Sequence, residues 1–173
     1  MLPYRVEKGD GLRFAMITSR RRGRWILPKG WPQVGEGLSE AACQEAREEA
    51  GLDGTPAPIP IGRYRYGKIM RDGYEVPCLV TVYAMKVTGQ RKDWPEKDER
   101  TLEWVHPRDA AERADDAGLR RILARLAQLP DDRLRDYLKR PTPLEEDGIF
   151  ARLRTALGRL VGRQPSLADA SRR

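Results

Sequence analysis

The chain has 173 residues, with Lys+Arg 33 against Asp+Glu 26, a formal charge of +7, and 39% apolar and 34% charged residues. That length suits one domain of ordinary size with an appendage, and the apolar content is too high for a chain disordered throughout. No apolar run reaches the length of a membrane span, no basic stretch and apolar core follow Met1, and two distant cysteines, Cys43 and Cys78, make neither a disulfide framework nor a cysteine-rich zinc site. The expectation is a cytoplasmic protein with both thiols buried as small apolar side chains.

Residues 4–7 and 12–17 read as strands about a hairpin turn at Gly9-Asp10-Gly11, and Trp25-Ile26-Leu27 is a short apolar run halted by Pro28. Residues 29–37, with Gly30, Pro32, Gly35 and Gly37, form a structured loop. A helix follows, N-capped by Ser39, favoured by Ala41, Ala42, Ala46 and Ala50, and ended by Gly51. Pro56, Pro58 and Pro60 then break the pattern. Residues 61–66 and 74–87 are expected as strands joined by a basic turn at 67–73, residues 101–105 as a further strand, and residues 107–128 as one or two helices carrying Leu119, Ile122, Leu123 and Leu126. Near the end, Ile149, Phe150, Leu153, Ala156, Leu157, Leu160 and Val161 recur at helical spacing among Arg152, Arg154 and Arg159. This basic amphipathic helix is expected to pack on the body or on a second copy in a homodimer, in preference to an acidic membrane surface.

The net charge is unevenly spread. Residues 148–173 hold six arginines against Asp169 alone, so most of the excess belongs to this stretch. In the body, Lys8, Arg13, Arg20, Arg21, Arg22, Arg24 and Lys29 face only Asp10 within residues 8–31. Glu36, Glu40, Glu45, Glu48 and Glu49 then face only Arg47 within residues 36–49. On a helix, Glu45, Glu48 and Glu49 stand at i, i+3 and i+4 and share one face. A solvated face ordinarily places Lys or Arg four residues from Glu. Here Glu45 is matched with Glu49, a repulsion that helix stability does not call for, and carboxylate oxygens converging on one spot suit a divalent cation such as Mg²⁺.

These residues resemble a known family. Gly30, Glu36, Glu45, Glu48, Glu49, Gly51 and Leu52 match the Nudix box, G-x5-E-x7-R-E-U-x-E-E-x-G-U, where U is a bulky aliphatic residue. Gln44 stands where the box has Arg, which in the family helps to orient a glutamate of the helix, and Ala46 stands where it has a larger aliphatic. The likeness extends over roughly residues 4–128. Arg24 to Gly30 is similar to the segment that leads into the box. Asp93-Trp94 followed by Glu103-Trp104 resembles diphosphoinositol polyphosphate phosphohydrolases and their bacterial relatives.

The resemblance implies an α+β fold, a Nudix-type α/β/α sandwich whose mixed central sheet carries the box loop and helix on one face. Residues 1–128 would form this domain and residues 129–173 a helical C-terminal extension. It also implies Mg²⁺-dependent (or Mn²⁺-dependent) hydrolysis of a diphosphate bond. Glu45 and Glu49 would be the main metal ligands, Glu48 a ligand or base, the Lys29 carbonyl a further ligand, and Gly30 and Glu36 supports of the loop. Thr18, Ser19, Arg20, Arg24 and Lys29 would meet substrate phosphates. Some relatives draw a base from a later loop, for which Glu96, Asp98 and Glu99 are the candidates. His106 is given no role, Trp31 is expected to pack, and Lys68 and Arg71 either reach a phosphate or flank a solvated turn.

The basic segment 20–29 directly before the acidic helix suits a substrate with many phosphates, such as a diphosphoinositol polyphosphate or a dinucleoside polyphosphate. The alternatives are a nucleoside triphosphate or nucleotide sugar as substrate, or a non-catalytic Nudix-fold module that binds RNA or an acidic ligand. Retention of all three helix glutamates argues against the module. Aromatic residues at 7%, with no stacking array, argue against nucleic acid.

Overall fold

In a computed structural model, residues 1–9, 11–70 and 72–141 are described; Asp10, Arg71 and the amphipathic helix expected at 149–161 lie outside them. The first strand, β1 (Leu2–Glu7), turns back through Gly9 into β2 (Gly11–Thr18), pairing Tyr4 with Phe14 and Glu7 with Gly11. Gly9 and Gly11 both hold positive φ, the left-handed conformation a tight hairpin needs. β2 also pairs with the short β3 (Trp25–Ile26) and, further along the chain, with β8 (Leu102–Val105).

Helix α1 (Leu38–Ala50) precedes β4 (Leu52–Pro56), an edge strand antiparallel to β7 (Ala84–Gln90), which itself runs parallel to β1. The result is a mixed six-stranded sheet. A separate antiparallel hairpin, β5 (Gly62–Ile69) and β6 (Glu75–Val82), stands beside it. Helices α2 (Pro107–Arg113), α3 (Ala117–Ala127) and α4 (Asp131–Lys139) complete the described chain. His106 and Asp116 cap α2 and α3 by accepting backbone N–H groups of their first turns.

β2 shows why this is a sandwich. Its alternation sends Phe14 and Met16 to one face and Ala15 and Ile17 to the other, all fully buried. Phe14 and Met16 join Leu119, Leu123, Leu126, Leu134 and Leu138 of α3 and α4. Ala15 and Ile17 join Cys43, Ala46 and Ala50 of α1. The small residues of α1, Ala46 among them, leave its backbone close to the sheet. The fold is therefore α+β, with a mixed sheet between helical layers. Both cysteines are buried and free. Among the described residues no helix is long and apolar enough to cross a membrane.

Three local expectations are corrected. The cap of α1 is Gly37, and Glu40 accepts the Gly37 N–H at 3.2 Å, so Ser39 lies inside the helix. The apolar run 74–87 is two strands: the chain leaves the hairpin at Val82 and enters the main sheet at Ala84, a change that alternation cannot signal. Residues 52–56 form a strand despite Gly54 and Pro56. Proline is tolerated there because β4 lies at the sheet edge.

Candidate active site

Loop 27–37 is pressed against α1 so closely that Gly30 has no room for a side chain. A Cβ there would lie 1.6 Å from Glu45 Oε1. The N–H of Lys29 donates to Glu49 Oε2 at 2.9 Å, and the Met1 amino group donates to the carbonyl of Pro28 at 2.7 Å. Glu36 closes the loop's own turn by accepting the Gln33 N–H at 2.9 Å. α1 ends at Gly51, φ +66°, under the indole of Trp94. That packing docks loop 91–101 on the last turn, where Glu48 and Gly51 carbonyls accept the N–H groups of Glu96 and Arg91 at 3.1 and 2.8 Å.

Glu45, Glu48 and Glu49 lie along α1 with Glu96 beside them. Glu49 is only 6% exposed and pairs with Arg100. Arg100 also donates to Glu96 at 2.6 Å and to the Thr18 carbonyl at 3.0 Å. Glu48 accepts from Gln44 at 2.8 Å, so the residue in the arginine position of the box still orients a glutamate. Among the described residues Glu45 has no ion-pair or hydrogen-bond partner. Burial, followed by the charges of Glu49, Glu48 and Glu96, pushes its carboxyl up to about 7. Burial also pushes Glu49 up, against the pull of Arg100 and the Lys29 N–H.

As the side chains stand, no three His, Cys, Asp or Glu among the described residues are gathered tightly enough to hold a metal ion. Glu48 leans on Gln44 and Glu49 on Arg100. The donor chemistry nevertheless fits a hard divalent cation, since four carboxylates crowd one region and one of them has no partner among the described residues.

The residues expected to meet substrate divide into two groups. Thr18 Oγ1 accepts the Thr101 N–H at 2.9 Å and Ser19 Oγ accepts the Arg24 N–H at 3.0 Å, so both hydroxyls brace the chain after β2. Arg20 is drawn to Glu96 and Glu99, each at 3.2 Å, and Arg24 to Asp115 at 3.2 Å. Lys29 stays at the carboxylates, its Nζ 5.1 Å from the centre of the Tyr66 ring. Burial lowers its pKa, opposed by Glu49 and reinforced by Arg100 and Lys68. Lys68, from the β5–β6 hairpin, lies 5.1 Å from the Trp31 ring centre. His106 remains a helix cap. Sequence reasoning missed Arg100, whose one signal is its place four residues after Glu96, and Tyr66, which only the packed hairpin brings to Lys29.

The NUDIX domain family model matches residues 7–126. Nudix hydrolase 12, mitochondrial, of Arabidopsis thaliana is 30% identical over 149 residues, 78% of this chain and 73% of that protein. Nudix hydrolase 21, chloroplastic, of the same plant is 30% identical over 129 residues, 70% and 61% of the two chains. A solved structure of Ap4A hydrolase from C. elegans matches with a TM-score of 0.54 at 21% identity, covering 73% of this chain and 91% of that one; this likeness is one of fold.

Proposed function

Because the chain belongs to the Nudix family and is a hydrolase of pyrophosphate bonds, we propose that its substrate is a small molecule bearing several phosphates, cleaved with Mg²⁺ or Mn²⁺. Nudix hydrolases generally use divalent ions. Glu45 and Glu49 would hold the ion here, with the Lys29 carbonyl as a further ligand. Such an ion neutralises the diphosphate and lowers the pKa of a bound water. Glu48, oriented by Gln44, takes the proton of the attacking water, and Glu96 adds a fourth carboxylate from the loop docked on α1. Gly30 and Glu36 keep the loop at the distance this requires.

One observation carries the polyphosphate reading: two ammonium groups, Lys29 and Lys68, stand over aromatic rings, Lys29 beside the glutamates, with no carboxylate in ion-pair contact among the described residues. They repel one another, and an anion of several phosphates relieves that repulsion. Arg20 and Arg24 are already paired with acids. Their part in phosphate binding is proposed as secondary to that of the lysines.

The test is hydrolysis with Mg²⁺ or Mn²⁺ of four substrates: a diphosphoinositol polyphosphate, a dinucleoside polyphosphate, a nucleoside triphosphate and a nucleotide sugar. The expected order of kcat/KM places one of the first two at the top. A triphosphate or nucleotide sugar ahead of both overturns the reading. Glu49→Gln should abolish turnover of whichever is preferred.

A further inference from the structure

Arg100 is the most thoroughly engaged cation of the site, although nothing in the box motif calls for it. Its side chain is 6% exposed. Its guanidinium binds Glu49 of α1, Glu96 of the docked loop and the carbonyl of Thr18 at the end of β2. The two oxygens of Glu49 are divided between the Lys29 N–H and Arg100. A buried carboxylate with no cation is costly, and Arg100 supplies the missing charge. Glu45, one turn away, receives no such contact among the described residues, and the charge of Arg100 acts on it less than those of Glu49, Glu48 and Glu96 do.

Taking up the metal reading given above, we infer that Arg100 is a positioning residue that stands in for the metal at Glu49. Guanidinium and divalent ion therefore compete for the same carboxylate. The oxygen that accepts from Arg100 is the one not bound to the loop, hence the one open to a metal, and two cations on it repel each other. When Arg100 leaves Glu49, its contacts with Glu96 and the Thr18 carbonyl keep it at the rim of the site. The exchange thus needs one contact broken rather than the whole side chain expelled. The pair ties α1 to the docked loop and to β2 in the metal-free protein, at the expense of metal affinity.

The measurement is equilibrium Mn²⁺ binding by electron paramagnetic resonance on the full chain, wild type against Arg100→Gln, with thermal melts in EDTA alongside. Arg100→Gln should bind Mn²⁺ at least fivefold more tightly, while melting below wild type in EDTA. Mn²⁺ affinity equal to or weaker than wild type overturns the inference and leaves the pair as simple structural support. Should Arg100→Gln not fold, Arg100→Lys decides. Its point charge holds Glu49 less firmly, so Mn²⁺ should bind more tightly than to wild type, and equal or weaker binding again overturns the inference. If neither wild type nor variant binds Mn²⁺, the metal reading itself fails; if wild type binds Mn²⁺ and Arg100→Gln binds it no more tightly, the inference alone fails.

Discussion

Gln44 donates from Nε2 to Oε1 of Glu48 at 2.8 Å, across one turn of α1. The box has arginine at this position. The shorter amide makes the contact without adding a charge, so Glu48 keeps its orientation. A hydrogen bond to a charged group is worth about 1.5 kcal/mol or somewhat more, roughly tenfold in rate. Gln44→Ala should therefore lower kcat about tenfold with KM little changed, and steady-state kinetics on the preferred substrate will show it. A change confined to KM assigns Gln44 to binding instead.

Gly30 tests the closeness of loop and helix. In Gly30→Ala the new methyl overlaps the Glu45 carboxylate, the far end of a side chain that can swing away, so the fold should survive while the site does not. The expected outcome is a melting temperature close to wild type and a loss of roughly a hundredfold in kcat/KM, about 2.7 kcal/mol of barrier. Comparison of melts and kinetics on the same preparation separates this from unfolding.

Glu45 supplies a pH signature. Its carboxyl is raised from the ordinary 4.5 to about 7 in the folded protein. The fold therefore binds this proton more tightly than the unfolded chain does. The stability it contributes is fully present below about 4.5 and is lost as pH rises through about 7. Glu45→Gln keeps the neutral form at every pH. In EDTA it should match wild type near pH 5 and exceed it at pH 8 by about 1–2 kcal/mol, solvent screening allowed for. Urea titrations at the two pH values measure the gap.

Leu134 and Leu138 tie α4 into the same core as Phe14 and Leu123. Leu134→Ala should destabilise the protein by about 2–5 kcal/mol, the usual cost of a buried leucine cavity. Denaturant unfolding will register this; a change below 0.5 kcal/mol, the range of surface substitutions, removes α4 from the core.

What could be read from the chain alone was local. Glycine punctuation marked the first hairpin and the end of α1, because positive φ is written in residue type. The 3, 4 spacing of Glu45, Glu48 and Glu49 put three carboxylates on one helix face, because that face is a property of the helix. The break at Tyr83 and the strand at 52–56 escaped, since apolar alternation does not say which sheet a strand joins and an edge tolerates proline. The arrangement of charge escaped for the same kind of reason. Sequence places Arg20 and Arg24 shortly before the box, yet Glu96, Glu99 and Asp115 hold them. Arg100, fifty-one residues beyond Glu49, becomes its counter-ion, and Lys68 arrives on a separate hairpin to stand with Lys29. Ion pairs form between groups that folding brings together, so the sequence by itself determined the three helix carboxylates, and only the tertiary structure decided which loop acid joins them and which cations face them.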